Sequence, residues 1–211
     1  SDGSKVWNVL TVSSFIKSQN LLSLAITSNG FLVAINSSGD LFKIDSQTGK
    51  VVWSANTLSS LLANASDFFV SSDIVLTEKE IILSADSSTF SYDINNAGIN
   101  WEARVSSVSA PIVTNDNIFL ITDNGFFVIM VRSTGKIIFS TNILKILKKR
   151  KQETKIVGFV MGSSNIYTVT SNGYLIVSSA ISGKTLSFKK IGDPIILPPI
   201  IADGKLYILT K

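Results

Sequence analysis

An all-β fold, a β-propeller of four-stranded antiparallel blades, is predicted by three observations on the 211-residue sequence. First, one cadence recurs: a turn ending in Gly, then Lys or a β-branched residue, then a short apolar run closing on an aromatic. Its copies are DGSKVW ending at Trp7, TGKVVW at Trp53, NAGINW at Trp101, STGKIIF at Phe139 and SGKTLSF at Phe188. Second, successive anchors lie 46, 48, 38 and 49 residues apart, and a period in the mid-forties made of short strands is the mark of propeller blades. Third, the sequence between anchors divides into further strand-length apolar runs separated by turn residues.

In chain order, Lys5–Val9 reads as the closing strand of a unit that ends at Trp7. The first full unit is the clearest. Its runs Leu24–Ile26, Phe31–Ile35 and Leu41–Ile44 are separated by Asn29-Gly30 and Gly39-Asp40, dipeptides that supply the positive φ of tight hairpins. IVLTEKEIILSADSSTFSYDINNAGINW, APIVTNDNIFLITDNGFFVIMVRSTGKIIF and VGFVMGSSNIYTVTSNGYLIVSSAISGKTLSF repeat the plan as antiparallel meanders. PIILPPIIADGKLYILT reads as the first two strands of a further, partial unit over 194–211. Residues 1–211 are thus expected to form one propeller domain or a fragment of one. A blade cannot bury both apolar faces alone, so Trp7, Trp53, Trp101, Phe139 and Phe188 are read as anchors that pack on a neighbouring blade rather than as ligand-stacking rings.

The cadence, the Leu-Phe-x-Ile-Asp at Leu41–Asp45 and the closing Trp resemble the pyrroloquinoline-quinone-like repeat family, and within it the BamB type of outer-membrane assembly lipoprotein. The later units depart from the pattern. The Asp after Ile persists at Asp45 and Asp93, but Val131 and Ser179 stand near the equivalent positions, and Phe139 and Phe188 replace the closing Trp. Relatives in that family close with seven or eight blades, and at about 45 residues per blade eight need roughly 360. The expectation is a partial propeller of about four to five blades. The alternative is a five-bladed ring closed by pairing the termini.

Composition excludes several function classes. Hydrophobic residues make up 45% and charged ones 16%, enough apolar side chain for a core. No run approaches the ~18 uninterrupted apolar residues of a spanning helix, and no cleavable signal is expected from the polar Ser1–Ser4. Without Cys or His the chain assembles no thiol nucleophile, no Cys/His metal site and no imidazole-based triad. Zero cysteines do not choose a compartment. Most Asp residues sit in hairpins, as in Gly39-Asp40, Asn115-Asp116 and Asp123-Asn124-Gly125, where a short carboxylate bonds its own backbone. Quinoprotein dehydrogenases of the resembled family hold their quinone over calcium with a Glu, an Asn and a catalytic Asp. No inward set of carboxylates carries over, so no catalytic residue, cofactor or metal is assigned and the chain is read as no enzyme.

The formal charge of +4 is unevenly spread. Lys145, Lys148, Lys149, Arg150 and Lys151 fall within seven residues, and taking those five from the 19 basic residues leaves 14 against 15 acidic. The basicity therefore reads as one loop, and no nucleic-acid or small-molecule partner is expected. That loop, 142–155, joins the third full unit to the fourth. Ile143, Leu144, Ile146 and Leu147 precede its charges with spacing for one or two helical turns. Such an element is suited to docking a protein, or to peripheral contact with anionic headgroups. The bland reading is a solvated loop whose apolar residues fold back on the blade. Two more connections, 9–20 and 55–69, carry Phe15, Ile16, Leu58, Leu61 and Leu62. Three apolar loops on one rim suggest a contact surface.

The resemblance implies a scaffold of the outer-membrane assembly machinery, in the periplasm, engaging a BamA-like partner through rim loops. The partner-binding residues expected are Lys145, Lys148, Lys149, Arg150, Lys151, Leu58, Leu61 and Leu62. The alternative is the sensor or ligand-binding module of a larger extracytoplasmic signalling protein.

Overall fold

The computed structural model of the chain describes residues 2–11, 22–57, 69–107, 109–147, 154–192 and 194–211. The chain divides into two compact units, Ser1–Val105 and Ser106–Lys211. The first holds two blades, β1 (Leu24–Ile26), β2 (Phe31–Ile35), β3 (Asp40–Asp45), β4 (Val51–Asn56) and then β5 (Val75–Leu76), β6 (Glu80–Ala85), β7 (Ser88–Asp93), β8 (Ile99–Ala103). The second holds β9 (Ile112–Val113), β10 (Asn117–Ile121), β11 (Phe126–Val131), β12 (Ile137–Asn142) and β13 (Ile156–Gly162), β14 (Asn165–Thr170), β15 (Tyr174–Ser179), β16 (Thr185–Lys190), followed by the hairpin β17 (Ile200–Ala202), β18 (Lys205–Tyr207). Each of the four blades is a meander in which consecutive strands pair antiparallel. These are the blades of a β-propeller, as the sequence predicts.

The cause is local at every corner. Gly30 and Gly39 turn the first two hairpins of the first blade at φ +82° and +76°, conformations open to Gly at no steric cost. The middle strands are buried on both faces, as in β6 and β7, which expose no residue fully. Val33, Ile35, Leu41, Ile81, Leu83, Phe90 and Tyr92 form one core within the first unit. Phe119, Phe127, Ile129, Phe159, Ile166 and Ile176 form another within the second.

The turn from third to fourth strand follows a single plan. The N–H of Gly49, Ala97, Gly135 and Gly183 each donates to the carbonyl four residues back, of Asp45, Asp93, Val131 and Ser179. All four of these residues have positive φ. In the second blade the left-handed residue is therefore Ala97 (φ 61°) and not the expected Gly98, which takes the place of Lys50. The Asp of the Ile-Asp pair caps this turn. Asp45 Oδ1 accepts the N–H groups of Gln47 and Thr48, and the Thr48 backbone bond holds its carboxyl below the usual carboxylate range. Asp93 accepts Asn95 and Asn96 likewise. Ser179 preserves the function with its hydroxyl, which accepts Ile181 and Ser182; Val131 has no side-chain acceptor.

Every fourth strand carries a bulge at its second residue. The register shift leaves Val52, Asn100, Ile138 and Leu186 unpaired and places Trp53, Trp101, Phe139 and Ser187 opposite Lys43, Ser91, Ile129 and Val177. The anchor of the fourth blade is thus Ser187, not Phe188. A one-residue slip moves a side chain to the other face of a strand, and Phe188 is left 46% exposed.

The anchor position is a docking slot on the following blade's last turn. Trp7 Nε1 donates to Ser46 O at 2.9 Å, and the indole lies where a Cβ on Gly49 would approach it to 2.8 Å. Trp53 Nε1 donates to Ile94 O at 3.2 Å, the carbonyl equivalent to that of Ser46. Phe139 has no donor, but its ring lies against Gly183 so closely that a Cβ there would overlap it. Residues 5–9, expected as a closing strand, pair with no strand among the described residues, although Trp7 still fills its slot.

Candidate interaction surface

The connections that leave each fourth strand begin on the turn between that blade's second and third strands. Thr57 N–H and Oγ1 both donate to Gly39 O at 2.8 Å. In the third blade Ile143 N–H donates to Gly125 O and Asn142 Nδ2 to Asn124 O. The connections also end on the corresponding turn of the next blade. Asp86 N–H donates to Val70 O, and Ser71 bridges to Ala85. Thr154 accepts Asn172 Nδ2 at 2.7 Å, and Lys155 exchanges bonds with Ser171. In each unit, then, a long connection is tied at both ends to second-to-third-strand turns.

Of the residues expected to contact a partner, Lys145 is described, and it is exposed. Lys148, Lys149, Arg150, Lys151, Leu58, Leu61 and Leu62 lie outside the described residues, as do Phe15 and Ile16. Residues 143–147 form one 3₁₀ turn, capped where Asn142 Oδ1 accepts Lys145 N–H at 3.1 Å. The apolar side chains do not form an outward amphipathic face. Ile143, Leu144 and Leu147 belong to the core of the second unit, with Ile146 packed against it. Leu144 fills the space over Gly125, so close that a Cβ there would overlap its side chain. The apolar half of this segment anchors it, and of its described residues Lys145 is what it offers to solvent.

Charge separates by unit. The first unit has six basic and ten acidic residues, the second 13 basic and five acidic. Without the five cations of 145–151 the second unit still has eight basic against five acidic, so its positive field is not confined to the loop, contrary to the sequence expectation.

Sequence reasoning missed Lys43. It lies on β3, only 6% exposed, donates to Ile94 O at 3.0 Å and stands 4.6 Å from the Phe31 ring centroid. Buried cations need such compensation, and Ile94 O thereby receives both Lys43 and Trp53. The Phe-Lys-Ile-Asp alternation hid it, because a Lys on a turn-adjacent strand reads as solvated. Among the described residues no group of three acidic side chains is placed to hold a metal ion, and no helix is long and apolar enough to cross a membrane.

Several solved propellers share this fold. BamB from Moraxella catarrhalis superposes with a TM-score of 0.64 at 17% identity, over 86% of this chain and 56% of that one. The Cps50 (Swd1) β-propeller domain of Myceliophteria thermophila gives 0.68 at 11% identity, over 90% and 62%. The C-terminal WD40 domain of Sif2 gives 0.63 at 12%, over 88% and 51%. The chain thus spans little more than half the length of the BamB structure it matches. No curated protein matches it in sequence. The sequence model described as outer membrane protein assembly factor BamB matches residues 1–141. With two thirds of its length accounted for by that model and its blades built on the docking slot described above, the chain belongs to the BamB family of quinone-type repeat propellers.

Proposed function

We propose that the chain acts as a non-enzymatic scaffold of the outer-membrane protein assembly machinery, in the periplasm, holding a BamA-like protein partner against the rim of second-to-third-strand turns. The observation that carries this reading is the double anchoring of the connections. Residues 57 and 70 bracket one, and residues 143 and 154 the other, with both ends of each bonded to those turns. The ends of each connection are brought together when the protein folds, so that closure entropy is not lost again on binding. The second loop carries Lys145, Lys148, Lys149, Arg150 and Lys151, and with its apolar residues turned into the core its contribution to a contact is electrostatic. Such contacts govern association rate and salt dependence. Leu58, Leu61 and Leu62 of the first loop are proposed as apolar partner-contacting residues of their own unit. The test reverses Lys148, Lys149, Arg150 and Lys151 to Glu and measures capture of the periplasmic domain of the assembly partner. Capture is expected to weaken by ten-fold or more at low salt while the melting temperature stays unchanged. Capture as strong as that of the parent protein would remove this loop from the contact.

A further inference from the structure

The four blades allow each position of the outer hairpin to be compared with its three equivalents, and the fourth blade departs from the others in one direction. Two residues past the capping position, at the hairpin tip, stand Gln47, Asn95 and Ser133 in the first three blades and Ile181 in the fourth. Ile181 is 84% exposed. The residue after the docking slot is Ser54, Glu102 and Ser140 in the first three and Phe188 in the fourth. The next two are Ala55-Asn56, Ala103-Arg104 and Thr141-Asn142, but Lys189-Lys190 in the fourth. Polar positions have become apolar and mostly neutral ones cationic, on the same hairpin.

Packing within the blade does not account for the change. Phe188 and Lys190 share one face of β16, opposite Ile176 and Tyr174, and Lys190 Nζ stands 6.0 Å from the Tyr174 ring centroid. Neither side chain is buried there. The segment 179–192 contains Lys184, Lys189 and Lys190 and no acidic residue, and it lies in the unit with 13 basic against five acidic residues. A protruding isoleucine at a turn, an exposed aromatic and flanking lysines are the combination that binds an anionic lipid surface. The apolar groups enter the headgroup boundary while the ammonium groups meet phosphate. A recognised peptide, by contrast, is held by side chains that enter recesses of the receptor, whereas Ile181 stands at a tip.

We infer that the β15–β16 hairpin is a docking surface for an anionic phospholipid bilayer, with Ile181 and Phe188 as the inserting side chains and Lys184, Lys189 and Lys190 as headgroup contacts. None of these residues belongs to the connections proposed to hold a protein partner.

Flotation of the 211-residue chain with vesicles of phosphatidylcholine and phosphatidylglycerol, three to one, against phosphatidylcholine alone tests it. Binding is expected to the anionic vesicles and to fall as salt rises. Changing Lys184, Lys189 and Lys190 together to Gln should weaken partitioning about 100-fold, at roughly five-fold per lysine. I181Q with F188S installs residues that other blades carry at these positions, so folding is preserved, and should weaken binding by about ten-fold or more. Circular dichroism and melting of each variant confirm the fold. Equal binding to neutral vesicles, unchanged binding in both variants, or loss only when Lys148, Lys149, Arg150 and Lys151 are reversed would overturn the inference. So would binding of a polyglutamate peptide or self-association, lost in the same variants, without any binding to vesicles.

Discussion

Gly183 and Gly204 form a matched pair that measures the docking slot directly. Both are left-handed, at φ +66° and +68°, and both lie in the second unit. They differ in surroundings: a Cβ on Gly204 meets nothing within 4 Å, whereas one on Gly183 would overlap the Phe139 ring. The left-handed conformation costs a residue with a Cβ about 1–2 kcal/mol, offset by about 0.5–1 kcal/mol because alanine loses less entropy on folding than glycine. Gly204→Ala should therefore destabilise by about 0.5–1 kcal/mol. Gly183→Ala incurs the same backbone cost and must also expel a ring packed on the core of this unit, an overpacking cost of about 1–3 kcal/mol, for a total of about 1.5–4 kcal/mol. Urea unfolding of the two variants gives the difference, and thermal midpoints should follow at about 2–4 °C per kcal/mol for a chain of this size. Combined with Phe139→Ala, which vacates the space, Gly183→Ala should cost no more than Gly204→Ala does alone. That non-additivity is the coupling expected of residues in contact. Equal costs for the two single variants, or strict additivity with Phe139→Ala, would show that the ring does not rest on the turn and would refute the slot.

Two further outcomes follow from buried hydroxyls. Thr168 Oγ1 is fully buried and has no hydrogen-bond partner among the described residues, so Thr168→Val should raise the unfolding free energy by about 1–2 kcal/mol, since an unsatisfied group of that kind carries its desolvation cost uncompensated. Tyr92 is buried with its hydroxyl likewise unpartnered, and burial, with the Glu102 charge as a lesser cause, pushes its pKa up to about 12. Between about pH 10 and 12 the unfolded chain releases this proton and the folded one keeps it, so stability falls as pH rises, by up to about 1.4 kcal/mol per pH unit. Tyr92→Phe should remove that part of the alkaline loss and leave stability below pH 10 no lower than the parent's; superimposable pH profiles for the two proteins would sink the assignment.

The strand plan was legible because its determinants are local. Asn29-Gly30 and Gly39-Asp40 set the hairpins of the first blade where the alternation of apolar runs placed them, and the period alone implied blades. What was not legible was register within the closing strand. A bulge adds one unpaired residue before the anchor, at Leu186 in the fourth blade, and no residue type announces it, so Phe188 was read as the anchor that Ser187 is. Ala97 was hidden for a related reason. Gly98 beside it is the residue expected to turn left-handed, yet the hydrogen bond from Ala97 N–H to Asp93 O fixes the turn one position earlier. In the candidate surface, sequence located the basic loop but misjudged its apolar half. Ile143 and Leu144 show the same spacing whether they face a partner or the core, and only the bond from Ile143 to Gly125 decides between them. Lys43 was illegible outright, since its acceptor lies 51 residues away.

The slot also explains where function can be added without loss of the fold. Trp7 and Trp53 each give the receiving turn a ring and a hydrogen bond, and Phe139 gives a ring alone. Ser187 gives neither a ring nor an indole donor, and in that blade the aromatic appears one residue later, facing solvent. A change that loses packing and exposes a ring opposes both stability and solubility, and it is joined at the same hairpin by Ile181 and two lysines that the other three blades lack. The fourth blade carries apolar side chains at exposed positions that are polar in the other three, beside lysines and no acidic residue within 179–192, which points to a surface outside the chain as the feature to which this hairpin is matched.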